Sequence, residues 1–178
     1  ARAASPLERR DSRVTSVSAF AFLVSCAALQ LAFPGDRHPS IGLLVLLIAG
    51  YAVASKVEFE VGIGSAIPTQ LVFVPMLSLL PPSMVPLCVA VGLLLGSMAG
   101  YLKRQEHPER ALVVVASSWN AVGGALVIAL AGEPDAAWSV WPVLLAAVLA
   151  QFVFDFLGSA ARASFAFGIA PQAHVRLM

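Results

Sequence analysis

The stretch Lys56–Pro82 constrains this chain more than any other. It reads KVEFEVGIGSAIPTQLVFVPMLSLLPP. Three charges, Lys56, Glu58 and Glu60, lead into Gly62 and Gly64. An apolar run then carries Pro68, Gln70 and Pro75 and stops at Pro81-Pro82. Proline removes a backbone donor and breaks the hydrogen-bond ladder of a soluble helix. In a membrane, neighbouring helices can satisfy the carbonyl it frees. The stretch is therefore expected to be a short, bent transmembrane segment. Its charged base would lie at one membrane face, Gln70 would point into protein, and the rest of the chain would surround it.

Composition agrees. Apolar residues make up 59% of the chain and charged residues 12%, with mean hydropathy +0.86. A soluble domain is about one quarter charged. These values describe an integral membrane protein, and 178 residues leave no room for a sizeable soluble domain beside one helical bundle. The expected fold is all-α, a bundle of about six transmembrane helices. Residues 1–13 would form a cytoplasmic N-terminal segment, residues 14–167 the membrane domain, and residues 168–178 a cytoplasmic tail or linker.

Residues 14–33 are long enough to span about 30 Å of hydrocarbon. A basic start and the Leu23-Val24-Ser25-Cys26 string resemble a secretory or lipoprotein signal, but the apolar run continues past Cys26 and more spans follow. After the PGDRHP turn, the second span covers about 40–55, and the third is the stretch above. The fourth, about 83–102, carries Gly92, Gly96 and Gly100 at four-residue spacing, a ridge that lets another helix approach closely. The charged KRQEHPER loop precedes the fifth span, about 111–131. Gly132-Glu133-Pro134-Asp135 turns into the sixth, about 136–163, where Trp138 and Trp141 suit an interface. The chain opens on Ala1 and closes on AHVRLM, so a piece of a longer protein is expected.

The distribution of basic residues orients the bundle. Of the eleven lysines and arginines, all but Arg37 fall on one side of this scheme: Arg2, Arg9, Arg10, Arg13, Lys56, Lys103, Arg104, Arg110, Arg162 and Arg176. Basic loops stay in the cytoplasm. Both termini are thus expected in the cytoplasm, with the chain in the inner membrane.

Polar groups inside a bilayer need partners or a task. At about 1.5 Å per residue, Gln70, Ser117, Asn120 and Asp155 fall at a similar depth, roughly 10–15 Å from the basic face. Gln151, Asp155, Ser159 and Arg162 form one stripe on the last span, and Ser117, Asn120 and Gly124 another on the fifth. Gln70, Ser117, Asn120, Gln151 and Asp155 are the candidate ligand-binding layer. For Asp155, an interhelical bond or ion pair with Arg162 or Lys56 stands beside a ligand contact or protonation switch. For Gln70 and Asn120, packing hydrogen bonds stand beside ligand contacts. Trp119 reads as core or lipid-facing, with a stacking wall as the alternative.

Catalytic signatures are absent. There is no phosphate-cradling glycine loop with lysine, no His-Glu-x-x-His, no Cys-x-x-Cys and no nucleophile elbow. Cys26 and Cys88 lie in apolar runs as free buried thiols, and His38, His107 and His174 are scattered. No enzyme activity, catalytic residue, cofactor, metal site or nucleic-acid partner is expected within these residues.

The strings ASKVEFEVGIGSAIPTQLVFVPMLSLLPP, HPERALVVVASSWNAVGGALVIALAGEP and WPVLLAAVLAQFVFDF give a further indication. They resemble the N-terminal multi-helix membrane domain of actinobacterial signalling proteins, over about residues 51–156. The resemblance implies a sensor domain followed by a cytoplasmic diguanylate cyclase or HD-type phosphohydrolase module, with a further hydrophobic segment after Met178. The expected function is a sensory and anchoring domain that couples a small ligand or membrane cue to cyclic-dinucleotide signalling. A homodimer packed through helices such as the Gly92–Gly100 ridge would serve it. The alternatives are a small-molecule carrier subunit, resembling the substrate-binding component of a vitamin transporter, and a purely structural membrane protein.

Overall fold

A computed structural model describes residues 9–61, 64–102, 110–134 and 138–167. Among these residues the regular structure is all helical apart from one small hairpin. In order it forms α1 (Arg9–Ala32), α2 (Ile41–Ala54), β1 (Phe59–Val61), β2 (Gly64–Ala66), α3 (Gln70–Leu79), α4 (Val85–Leu102), α5 (Arg110–Ser117), α6 (Trp119–Leu130) and α7 (Trp141–Phe167), with one 3-10 turn at Trp138–Val140. Residues 1–8, most of the KRQEHPER loop with His107, and the tail 168–178 with His174 lie outside the described residues.

Among the described residues, four helical stretches are long and apolar enough to cross a membrane: Asp11–Ala32, Val85–Leu102, Arg110–Leu130 and Trp141–Phe165. The helices α2 and α3 are apolar but shorter, with 14 and 10 residues. They are about 21 and 15 Å long. Large apolar side chains point outward all round the helices, including Phe20, Leu31, Leu46, Leu71 and Leu102. So continuous an apolar exterior exceeds what a soluble monomer exposes and suits lipid.

The stretch 56–82 departs from the single bent span expected of it. Its first half is extended: β1 and β2 pair antiparallel, with Phe59 opposite Ala66 and Val61 opposite Gly64. The reason is written in Lys56–Val61, where polar and apolar residues alternate with the period of a strand. Pro68 therefore stands in the turn before α3, and only Pro75 lies inside a helix. The expectation that the chain surrounds this region holds for α3. Phe73, Met76, Leu77 and Leu80 are fully buried. They pack in one cluster with Leu47 of α2, Val85, Cys88 and Val89 of α4, Ala121, Ala125 and Ile128 of α6, and Ala147 of α7. A second cluster joins Phe22, Cys26 and Leu29 of α1 to Ala90 and Val122. Cys26 and Cys88 are free and buried.

The fifth span is broken at Ser118. Ser117 Oγ and Ser118 Oγ both donate to the Val114 carbonyl, at 2.8 and 3.1 Å. Hydroxyls bonded back to their own helix compete with the backbone ladder and bend it. A new helix, α6, then starts at Trp119.

Glycines set the closest helix approaches. A Cβ on Gly96 would lie 2.6 Å from Ser55 Oγ and 3.0 Å from the Ala52 carbonyl, and one on Gly92 3.2 Å from the Ile48 carbonyl. The ridge on α4 is thus covered by α2 of the same chain. Pairing of two chains cannot use Gly92 and Gly96, contrary to the dimer contact expected there. Gly100 is half-buried in the same helix. An equally close contact, here against backbone, is at Gly123, where a Cβ would meet the Ala150 carbonyl at 2.6 Å.

Arg37 ties one end of the bundle together. It donates through Nη1 to the carbonyls of Leu77 and Leu80, at 3.0 and 3.1 Å, and through Nη2 to that of Pro134 at 2.8 Å. Three turns, α1–α2, α3–α4 and α6–α7, therefore meet at one end. The other end brings the start of α1 beside the end of α7, where Arg13 and Arg162 line one cavity.

Candidate functional site

The polar residues gather at the start of α3. Gln70 is the first residue of that helix, and its position follows from the Pro68-Thr69 turn. Gln70 Nε2 donates to Gln151 Oε1 of α7 at 2.9 Å. Gln151 is buried. The bond joins two helices 81 residues apart in sequence. Tyr51, in the last turn of α2, is buried, and Thr69 lies within reach of its side chain. The Asp155 carboxylate lies within electrostatic reach of the Tyr51 hydroxyl. Three elements, α2, α3 and α7, thus bring Tyr51, Thr69, Gln70 and Gln151 to one junction, with Asp155 on its exposed rim.

Within the candidate layer, among the described residues, the buried acceptors Gln70 Oε1 and Asn120 Oδ1 have no hydrogen-bond partner. An unsatisfied buried acceptor costs about 1–3 kcal/mol. Asn120 is placed by the break at Ser118, which sets it in the first turn of α6.

Of the candidate layer, the structure joins Gln70 to Gln151 directly. Asp155 lies one helical turn further along α7, and its side chain is exposed on the bundle surface. Among the described residues it forms no ion pair with Arg162 or Lys56, which corrects that reading; the ion contact that forms among them is Arg37 Nε to Glu133 Oε2, at 3.9 Å, at the other end of the bundle. Ser117 does not belong to the layer. Its hydroxyl is exposed and bonded to its own helix at Val114. Glu58 is exposed at the hairpin, and the Glu60 side chain lies outside the described residues. Tyr51 and Thr69 are the functional candidates that sequence reasoning missed. Each stands at the end of an apolar run, where a polar residue gives no signal of facing inward.

A separate cavity of about 660 Å³ opens between α1 and α7, with Trp119 in its lining. Trp119 is held there by its Nε1, which donates to the Ser18 carbonyl and Oγ, both at 3.2 Å. Its ring meets Phe22 edge-on at 6.0 Å. Trp119 thus packs against the Phe22 cluster, in keeping with the core reading, and its other side lines the cavity.

No family model, characterised protein or solved structure matches the chain.

Proposed function

We propose that the chain is a membrane-embedded sensory and anchoring domain, in which the junction at the start of α3 biases the position of α7. The observation that carries this reading is the Gln70–Gln151 bond, which links the short central helix to the helix leading toward the C-terminus. The 27 residues of α7 extend about 40 Å, more than the roughly 30 Å hydrocarbon core. It can therefore carry a displacement from mid-membrane into the cytoplasm. A cue acts by favouring one of two helix arrangements through its differential affinity for them.

In this proposal α2 and α3 complete the crossing, giving six alternating segments with both termini in the cytoplasm. The meeting of three turns at Arg37 supports the alternation. The isolation of Arg37 from all other basic residues supports the orientation. The output would be of the cyclic-dinucleotide type that the resemblance implies.

The test is a fusion of residues 1–178 to a diguanylate cyclase module. Gln151→Leu, which breaks the bridge, should change cyclase output at unchanged membrane insertion. Output that is the same in the parent, Gln70→Leu and Gln151→Leu would refute the coupling.

The unpartnered acceptors favour a second reading, a carrier subunit whose solute donates to Gln70 Oε1 and Asn120 Oδ1. Under that reading the isolated domain binds a solute tightly, and Asn120→Leu abolishes binding without any attached module.

A further inference from the structure

The cavity between α1 and α7 has a chemical direction. The two helices run in opposite senses, so Arg13 near the start of α1 and Arg162 near the end of α7 stand at the same end. From there the walls are Val17 and Ala21 on one side, Phe154 and Leu157 on the other, and Trp119. The apolar part extends about 12 Å from the arginines, eight residues along each helix. Its volume, about 660 Å³, is that of a ligand site rather than a packing defect.

A polar solute finds little to bind here. Ser18, the polar residue within the walls, already accepts the Trp119 Nε1 hydrogen. Among the described residues neither Arg13 nor Arg162 forms an ion pair. Two unpaired guanidinium groups above an apolar slot call for an anion with an apolar tail. Guanidinium matches phosphate oxygens through paired hydrogen bonds, and anionic lipids in the cytoplasmic leaflet are drawn to basic groups at that level. Gly158 also lines the slot, and a Cβ there would make only an ordinary contact with Trp119 Cβ, at 3.6 Å, so a larger side chain can be placed in it.

From this charge complementarity we infer that the groove is a binding site for an anionic phospholipid. One acyl chain lies between α1 and α7 against Trp119, and the phosphate sits between Arg13 and Arg162. The lipid pins the first helix to the last at the arginine-bearing face. The inference does not depend on the sensory reading.

Trp119 supplies the measurement. The chain has three tryptophans, so Trp138→Phe with Trp141→Phe leaves Trp119 as the only indole. That protein is reconstituted in phosphatidylcholine vesicles containing a small fraction of brominated phosphatidylglycerol or, separately, of brominated phosphatidylcholine. Brominated phosphatidylglycerol should quench Trp119 more strongly. The preference should fall about fivefold for each arginine neutralised in Arg13→Gln and Arg162→Gln. Gly158→Leu, which fills the slot but keeps both arginines, should remove the quenching. Equal quenching by the two lipids, or a preference unchanged in the double arginine variant, would overturn the site. Quenching by neither lipid would also overturn it and would indicate a second copy covering the groove. Lipid extracted from the unsubstituted protein gives an independent check. Phosphatidylglycerol must be enriched over the bulk membrane, and the absence of enrichment contradicts the proposal.

Discussion

Gln70 donates its side-chain amide to Gln151 at 2.9 Å, fastening the first residue of α3 to the middle of α7. The bond crosses the bundle where lipid cannot supply a substitute. Interhelical side-chain bonds in membranes are nonetheless modest, because the unfolded helices also find partners. A double-mutant cycle with Gln70→Leu and Gln151→Leu should give a coupling energy of about 0.6 kcal/mol. Unfolding in mixed detergent micelles measures it, and a coupling of zero would mean that the bond does not form.

Gly123 has no room for a methyl group, since the Ala150 carbonyl would stand 2.6 Å from it. Carbonyl oxygens of a neighbouring helix cannot rotate away as a side chain can. Gly123→Ala should destabilise the domain by about 1–3 kcal/mol. Gly42, with nothing within 4 Å, is the control. Gly42→Ala should be neutral or slightly stabilising, because alanine favours the helix. Comparing the two melting temperatures in one detergent checks the pair.

Arg37 holds three carbonyls from two distant turns, whereas its contact with Glu133 is long at 3.9 Å. The carbonyl bonds should therefore dominate. Arg37→Gln should destabilise by about 2–4 kcal/mol, and Glu133→Gln by under about 1 kcal/mol. Equal effects of the two substitutions on unfolding would show that the ion pair, not the carbonyl network, matters.

Much of this architecture is legible in the sequence, in a graded way. The apolar runs announce the helices, and the solitary Arg37 marks one end of the bundle. Counting residues from the polar borders and reading the stripe on the last span also picks out Gln70 and Gln151 as members of one polar layer. The hairpin was legible too, in the alternation of Lys56–Val61, but the apolar run that follows draws the eye to a single membrane segment. Other features were not accessible. Whether Ser117 bonds a neighbour or its own Val114 carbonyl depends on local geometry, which residue type does not encode. The glycines at 92 and 96 signal close packing without naming the partner, and α2 of the same chain fills that place. Asp155 shows the limit most clearly. Depth alone suggests a buried partner, yet the rotation of α7 leaves the carboxylate at the bundle surface.

Ser117 offers a negative prediction. Its hydroxyl is exposed and engaged with its own helix, so Ser117→Ala should change stability by less than about 0.5 kcal/mol and leave any ligand response intact. Ligand response in the cyclase fusion and a denaturation curve would check both halves.

The direction of the bundle in the membrane decides the account most directly. Asp36 and Glu58 are both exposed and flank α2 on opposite sides. In a background with Cys26→Ala and Cys88→Ala, a single Asp36→Cys or Glu58→Cys substitution can be probed in spheroplasts with a membrane-impermeant maleimide. The account predicts that the cysteine at position 36 reacts from outside and that the one at position 58 reacts only after permeabilisation. Labelling of both positions from the same side, or of position 58 alone from outside, would contradict it.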